Sequence, residues 1–152
     1  MNKKIRSVTG LGLLCAAFLA LYATVGAAPA PATTAETHRV VFQVTADGDE
    51  QWEAVIGNVE NLRAAFGPEK TTVQVVAHGK GLGMLLATNT ALRERMQKLH
   101  DGGVVFAACE NTMRKKRVTK GQLLPFVTTV DSGVAEVVRK QGAGWAYIKS
   151  GV

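Results

Sequence analysis

The sequence predicts an α/β domain, a three-layer α/β/α sandwich built on a mainly parallel five-stranded sheet. Two observations carry this expectation. Five short apolar runs, rich in β-branched and aromatic residues, read as strands buried on both faces. Between them lie longer stretches whose apolar residues recur at helical spacing, so the order is βαβαβαβαβ. Right-handed crossovers then place helices on both sides of the sheet.

The first segment stands outside that pattern. Lys3, Lys4 and Arg6 precede an uncharged, mostly apolar run from Leu11 to Val25, and Val25-Gly26-Ala27 supplies small residues before Ala28. This is the layout of a secretory signal peptide over residues 1–27. The apolar run is shorter than the ~20 residues a spanning helix needs, so cleavage is expected rather than anchoring, and the mature protein is placed in the periplasm. Ala30-Pro31-Ala32 is a second acceptable cleavage site. Cys15 follows Leu14, where a lipoprotein signal wants a small residue, and is expected to leave with the signal. Residues 28–37 are Ala, Pro and Thr with one Glu and read as a flexible leader. The domain then occupies residues 38–152, and about 124 mature residues suffice for a single core.

Within the domain, Val40-Val41-Phe42-Gln43-Val44 is the first strand run. Trp52, Val55, Ile56, Val59, Leu62 and Phe66 then mark a helix, with Asp49 as its expected N-cap and Gly67-Pro68 as its stop. The second strand is Val73-Gln74-Val75-Val76-Ala77, and Leu92, Met96 and Leu99 mark a helix ending near Gly102-Gly103. Val104-Val105-Phe106-Ala107-Ala108 is the third strand and leads through Cys109 directly into another helix. Phe126-Val127-Thr128-Thr129-Val130 is the fourth. Val134, Val137 and Val138 mark the last helix, ending at Gly142, before the closing strand Trp145-Ala146-Tyr147-Ile148.

Charge and composition exclude several function classes. The chain carries 18 basic and 12 acidic side chains, net +6; without Lys3, Lys4 and Arg6 it carries 15 against 12, about +3. No aromatic residues interleave with a basic stripe, so nucleic acid is not an expected partner. Arg114-Lys115-Lys116-Arg117 reads as the solvated end of a helix, where cations complement the dipole. His38 and His100 are scattered and no Cys-x-x-Cys occurs, so no metal or other cofactor is expected. No Ser/His/Asp arrangement is readable, and once the signal is removed no membrane segment remains.

Candidate chemistry collects at the carboxyl ends of the strands, where open α/β sheets bind ligands. Three loops lie there: Thr45-Ala46-Asp47-Gly48-Asp49, His78-Gly79-Lys80-Gly81-Leu82-Gly83, and the turn that begins at Cys109. Cys109 is the one cysteine of the expected mature chain, so an internal disulfide is ruled out. At the start of a helix its thiolate is favoured by unpaired N–H groups from Glu110, Asn111 and Thr112, while the Glu110 carboxylate opposes ionisation. The competing reading is an inert cysteine acting as a small apolar residue. The glycines of the second loop suit either an anion cradle with Lys80 or a tight strand-to-helix turn, and His78 suits either a base toward Cys109 or a hydrogen-bonded strand-end residue. Trp52, Trp145 and Tyr147 are expected in the core or at a subunit contact.

Val104 to Met113, ending in Ala-Cys-x-Asn-Thr-Met, is followed by basic residues, Val118-Thr119 and Leu123-Leu124-Pro125. Together with the His78-Gly79-x-Gly81 loop and the closing Gly144-Trp145-Ala146-Tyr147-Ile148, it resembles the DsrE/DsrF-like family of small sulfur-handling proteins. The resemblance is to an exported, single-cysteine branch and spans nearly the whole mature chain. It implies a compact, flavodoxin-resembling fold, assembly into dimers, trimers or hexamers, and sulfur held as a persulfide on Cys109. The substrate would be a sulfane-sulfur donor and the recipient an acceptor thiol, with Asn111, Thr112, His78, Gly79 and Gly81 as the binding residues around Cys109. The chain departs from the cytoplasmic sulfur-relay members in its export signal and in Lys116-Arg117, which replace their basic-Gly turn. Two functions follow: a periplasmic sulfur carrier or sulfurtransferase-like protein, or a non-catalytic oligomeric module binding a small anion or protein partner beside an inert Cys109.

Overall fold

The computed structural model describes residues 37–150. The expected signal peptide, the expected leader apart from Thr37, and residues 151–152 lie outside the described residues.

Five strands form one sheet: β1 (His38–Val44), β2 (Thr71–Ala77), β3 (Val105–Cys109), β4 (Thr128–Val130) and β5 (Ala146–Ser150). Their spatial order is β4-β3-β2-β1-β5, and every neighbouring pair is parallel. Four α-helices connect them: α1 (Asp49–Phe66), α2 (Arg93–Asp101), α3 (Glu110–Lys116) and α4 (Gly133–Gly142). The expected α/β fold is therefore the one that forms. Each step from β1 to β4 moves one strand in the same direction, so right-handed crossovers place α1, α2 and α3 on one face. The step from β4 to β5 returns across three strands and leaves α4 alone on the other.

Alternation along the strands separates the two cores. Val40, Phe42 and Val44 of β1, Val75 and Ala77 of β2, and Phe106 and Ala108 of β3 pack against Trp52, Val55, Ile56 and Val59 of α1 and Met96 and Leu99 of α2. The residues between them, Val41, Val76 and Ala107, turn to the opposite face and meet Val137 of α4. Burial on both faces holds for the central strands only. In the edge strands β4 and β5 it fails: β4 is at best half-buried, and Tyr147 of β5 is 39% exposed. One helix cannot span five strands, so Val134 and Val138 on its outer side are 56% and 62% exposed.

The helix ends follow local chemistry. Asp49 is not the cap of α1; Gly48 takes that position at φ +104°, and Asp47 Oδ1 accepts its N–H at 3.1 Å. Asp49 and Glu50 instead occupy the first turn, where their charge complements the helix dipole. Gly67, at φ +89°, stops the helix ahead of Pro68. The basic run closes α3, with Arg117 in the left-handed region at φ +57°. Among the described residues no helix is long and apolar enough to cross a membrane.

Candidate functional site

Because the sheet is parallel, the ends of all its strands open on one edge, and hydrogen bonds tie the loops there together. His78 N–H donates to Val44 O at 3.0 Å and Gly81 N–H to Thr45 O at 3.1 Å, joining the second loop to the first. Gly79 N–H donates to Thr112 Oγ1 at 3.1 Å, joining the second loop to α3. A fourth loop, Asp131-Ser132-Gly133, was not singled out from sequence. Its Asp131 carbonyl accepts from Asn111 N–H at 3.3 Å, and its Ser132 Oγ caps α4 by accepting from Ala135 N–H at 3.4 Å.

Cys109 lies at the junction of these loops. It is the last residue of β3 and the N-cap of α3, is free, and is only 4% exposed. Burial alone would raise its thiol pKa. The backbone N–H of Gly133 at the start of α4, the Thr112 hydroxyl, and the N–H groups of Thr112 and Asn111 outweigh it and hold the pKa below the usual thiol value. Since Thr112 Oγ1 already accepts from Gly79, its own hydrogen is left to donate toward the sulfur.

The remaining expected residues are distributed around this centre. Asn111 contributes through its backbone, because its side-chain Oδ1 accepts from the Arg114 guanidinium. Glu110 turns away from the thiol: its carboxylate accepts from Thr129 Oγ1 at 2.7 Å and lies 3.6 Å from Lys120 Nζ. The Thr129 hydrogen bond, with Lys120 and Arg114, holds its own pKa below the ordinary value. Gly79 adopts φ +60° and commits its N–H to Thr112. Gly81 commits its N–H to Thr45 O and His78 O, both at 3.1 Å. It stands so close to β1 that a Cβ there would lie 2.4 Å from Val44 O. Neither amide is free for a ligand in this arrangement, and the second loop positions Thr112 and His78 rather than lining an open cradle.

His78 follows β2. One step beyond the register pair Ala77 and Ala108, it stands opposite Cys109, and alternation turns both toward the α4 face. Its half-buried ring has its pKa lowered by desolvation, which favours the neutral form. Two residues not expected at the site complete this edge, Gln43 and the partly exposed Tyr147: Gln43 Nε2 lies 2.8 Å from His78 Nε2, and Tyr147 O–H donates to Gln43 Oε1 at 2.5 Å. Asp131 is gripped by Arg139 through bonds of 2.9 and 2.7 Å, and this pairing, aided by the Ser132 N–H, lowers its carboxyl pKa to about 2. Among the described residues no group of three His, Cys, Asp or Glu side chains gathers at metal-binding distance.

Residues 38–150 match the family model described as DsrE/DsrF-like family. Among solved structures, the chain is similar to MTH1491 of Methanobacterium thermoautotrophicum, a protein of unknown function. The two share 36% identity at a TM-score of 0.69, over 74% of this chain and 98% of that one. The ychN protein of E. coli matches at 10% identity and TM-score 0.61, over 74% of this chain and 98% of its own. BT1422 of Bacteroides thetaiotaomicron, also of unknown function, matches at 11% identity and TM-score 0.58, over 73% and 93%. The last two likenesses speak for the fold alone. No curated protein matches the chain.

Proposed function

Given that the chain belongs to the DsrE/DsrF-like family, which suggests a sulfur-related role, we propose that it is a periplasmic sulfur carrier whose Cys109 holds sulfane sulfur as a persulfide. The observation that carries this reading is the place of Cys109 at the junction of the loops, as last residue of β3 and N-cap of α3, where the Gly133 N–H and the Thr112 hydroxyl lower its thiol pKa. The signal-peptide layout read in residues 1–27 of the sequence supports the compartment.

In this reading the Cys109 thiolate attacks the sulfane sulfur of a donor such as thiosulfate. A new S–S bond forms at Sγ, the donor S–S bond breaks, and sulfite departs with the bonding electron pair. The product, Cys109–S–S⁻, carries the same charge as the thiolate it replaces. An acceptor thiolate then attacks the outer sulfur; the Cys109 S–S bond breaks, the thiolate is restored and the acceptor becomes a persulfide. Groups that lower the thiol pKa serve both halves of the cycle, since they stabilise Cys109 as attacking anion and as leaving group. Thr112 and Asn111 flank the sulfur, while His78, Gly79 and Gly81 hold the adjoining loop. The same reading takes the working protein to be a homo-oligomer.

The 4% exposure of Cys109 favours a second reading, a binding module with an inert thiol. Exposure to thiosulfate or polysulfide, followed by intact mass measurement, separates the two: one bound sulfur adds ~32 Da. The carrier gains this mass on Cys109 and loses the gain in Cys109→Ser. A native protein that stays unmodified, and whose thiol reacts with maleimide only after denaturation, fits the binding module instead.

A further inference from the structure

A diagonal row of polar side chains crosses the sheet and ends beside Cys109: Tyr147 of β5, in register with Val41, then Gln43 of β1, in register with Val76, and His78 after β2. All three lie toward the α4 face, which Val41 of β1 and Val76 of β2 also share. Tyr147 donates to Gln43 Oε1, so the amide presents its Nε2 hydrogens to His78, and His78 Nε2 must accept. The ring of a neutral His78 then carries its one proton on Nδ1. The Cγ–Cδ2 side of the ring, next to Nε2, packs against Gly133, where a Cβ would lie 3.0 Å from His78 Cβ and Cδ2 and 3.2 Å from Cγ. Gly133 is the residue whose N–H favours the Cys109 thiolate. The row therefore ends, through one packed contact, at the donor that faces the sulfur.

We propose that Gln43, anchored by Tyr147, is a positioning residue that fixes the His78 ring against Gly133 and so keeps the first N–H of α4 directed at Cys109. The inference rests on the reading of Cys109 as the reacting thiol. Neither Gln43 nor Tyr147 touches the sulfur; they act through His78. Most charged groups around this row are paired with one another, Glu136 of α4 with Arg139 and Lys140 among them. Glu110 pairs with Lys120 and Thr129, Arg114 with Asn111, and Asp131 with Arg139. Lys149 of β5 lies in register with Gln43.

The test is the pH midpoint of Cys109 alkylation in the intact chain, measured for wild type, Gln43→Leu and Tyr147→Phe. Gln43→Leu removes both hydrogen bonds at similar volume, and the midpoint should rise by about 0.5–1 pH unit, with Tyr147→Phe moving the same way by less. Should Gln43→Leu fail to fold, Tyr147→Phe, which deletes one partly exposed hydroxyl, carries the measurement. Adding Gly133→Ala to wild type should raise the midpoint too, because its methyl group displaces the ring. Folded variants that keep the wild-type midpoint, with a wild type that takes up sulfur, overturn the positioning role alone. A wild type that takes up no sulfur overturns the carrier reading and this inference with it.

Discussion

Replacing Thr112 by valine removes one hydroxyl with little change of shape, and the structure sets the size of the effect. Thr112 Oγ1 accepts from Gly79 N–H at 3.1 Å and turns its hydrogen toward the Cys109 sulfur. A hydrogen bond to a charged group contributes ~1.5–3 kcal/mol, and the half-buried position of Thr112 argues for the lower end. Since ~1.4 kcal/mol corresponds to one pH unit, the thiol midpoint should rise by about one unit. Below both midpoints the thiolate fraction then falls about tenfold, but a more basic thiolate is a better nucleophile, with a Brønsted coefficient of ~0.4–0.5. The net slowing of sulfur uptake at a pH below both midpoints should be about three- to fourfold. Gly79 is exposed, so water takes over its N–H and the fold should lose less than ~1 kcal/mol. Iodoacetamide rates against pH, with urea unfolding beside them, give both numbers. An unchanged midpoint in a folded Thr112→Val protein would mean that the Thr112 hydroxyl does not stabilise the thiolate.

Other outcomes follow from the same geometry. Gly81→Ala sets a Cβ 2.4 Å from Val44 O, where neither backbone can rotate aside, so urea titration should register a loss of ~1–3 kcal/mol. Ser132→Ala removes the cap of α4; because the capping bond is long at 3.4 Å, the cost should sit near the low end of the usual range, about 0.5 kcal/mol, with a small rise in the thiol midpoint. The folded-state thiol pKa of Cys109 is depressed, so the thiolate stabilises the native state above the usual thiol range, and that stability is lost as pH falls through the folded value. Wild type should therefore gain stability over Cys109→Ala as pH rises through the depressed folded value toward the usual thiol range in paired urea titrations, and a constant difference would count against a depressed pKa.

The order of elements was legible because each central strand is a nearly unbroken apolar run and α1, α2 and α4 carry apolar residues at helical spacing; α3, with Met113 as its one apolar residue, was legible only as the continuation of the third strand through Cys109. Sequence order does not show spatial neighbours. That β4 lies beside β3, and so delivers Ser132 and Gly133 to Cys109, follows only once the strands are arranged. The signal was nonetheless present, in a Ser-Gly pair ahead of Val134, Val137 and Val138 that reads as a helix start. Glu110 was expected to oppose the thiolate because it is adjacent in sequence. Its carboxylate is instead drawn off by Thr129 from the next strand. Gln43 drew no expectation within its strand run and Tyr147 was expected in the core or at a subunit contact, and no local pattern joins residues 104 positions apart. His78 was legible as a strand-end residue beside a glycine turn. Its place opposite Cys109 comes from register, which parallel strands fix through their crossovers rather than through a hairpin turn.

The account stands or falls on whether Cys109 both takes and returns sulfur. Protein loaded with thiosulfate or polysulfide, freed of excess donor and then given an acceptor thiol should first gain ~32 Da on Cys109 and then return to its starting mass, with the acceptor carrying the lost sulfur. Cys109→Ser should show neither step. A wild-type protein that never gains the mass, or gains it and does not release it to any thiolate acceptor, contradicts the carrier reading.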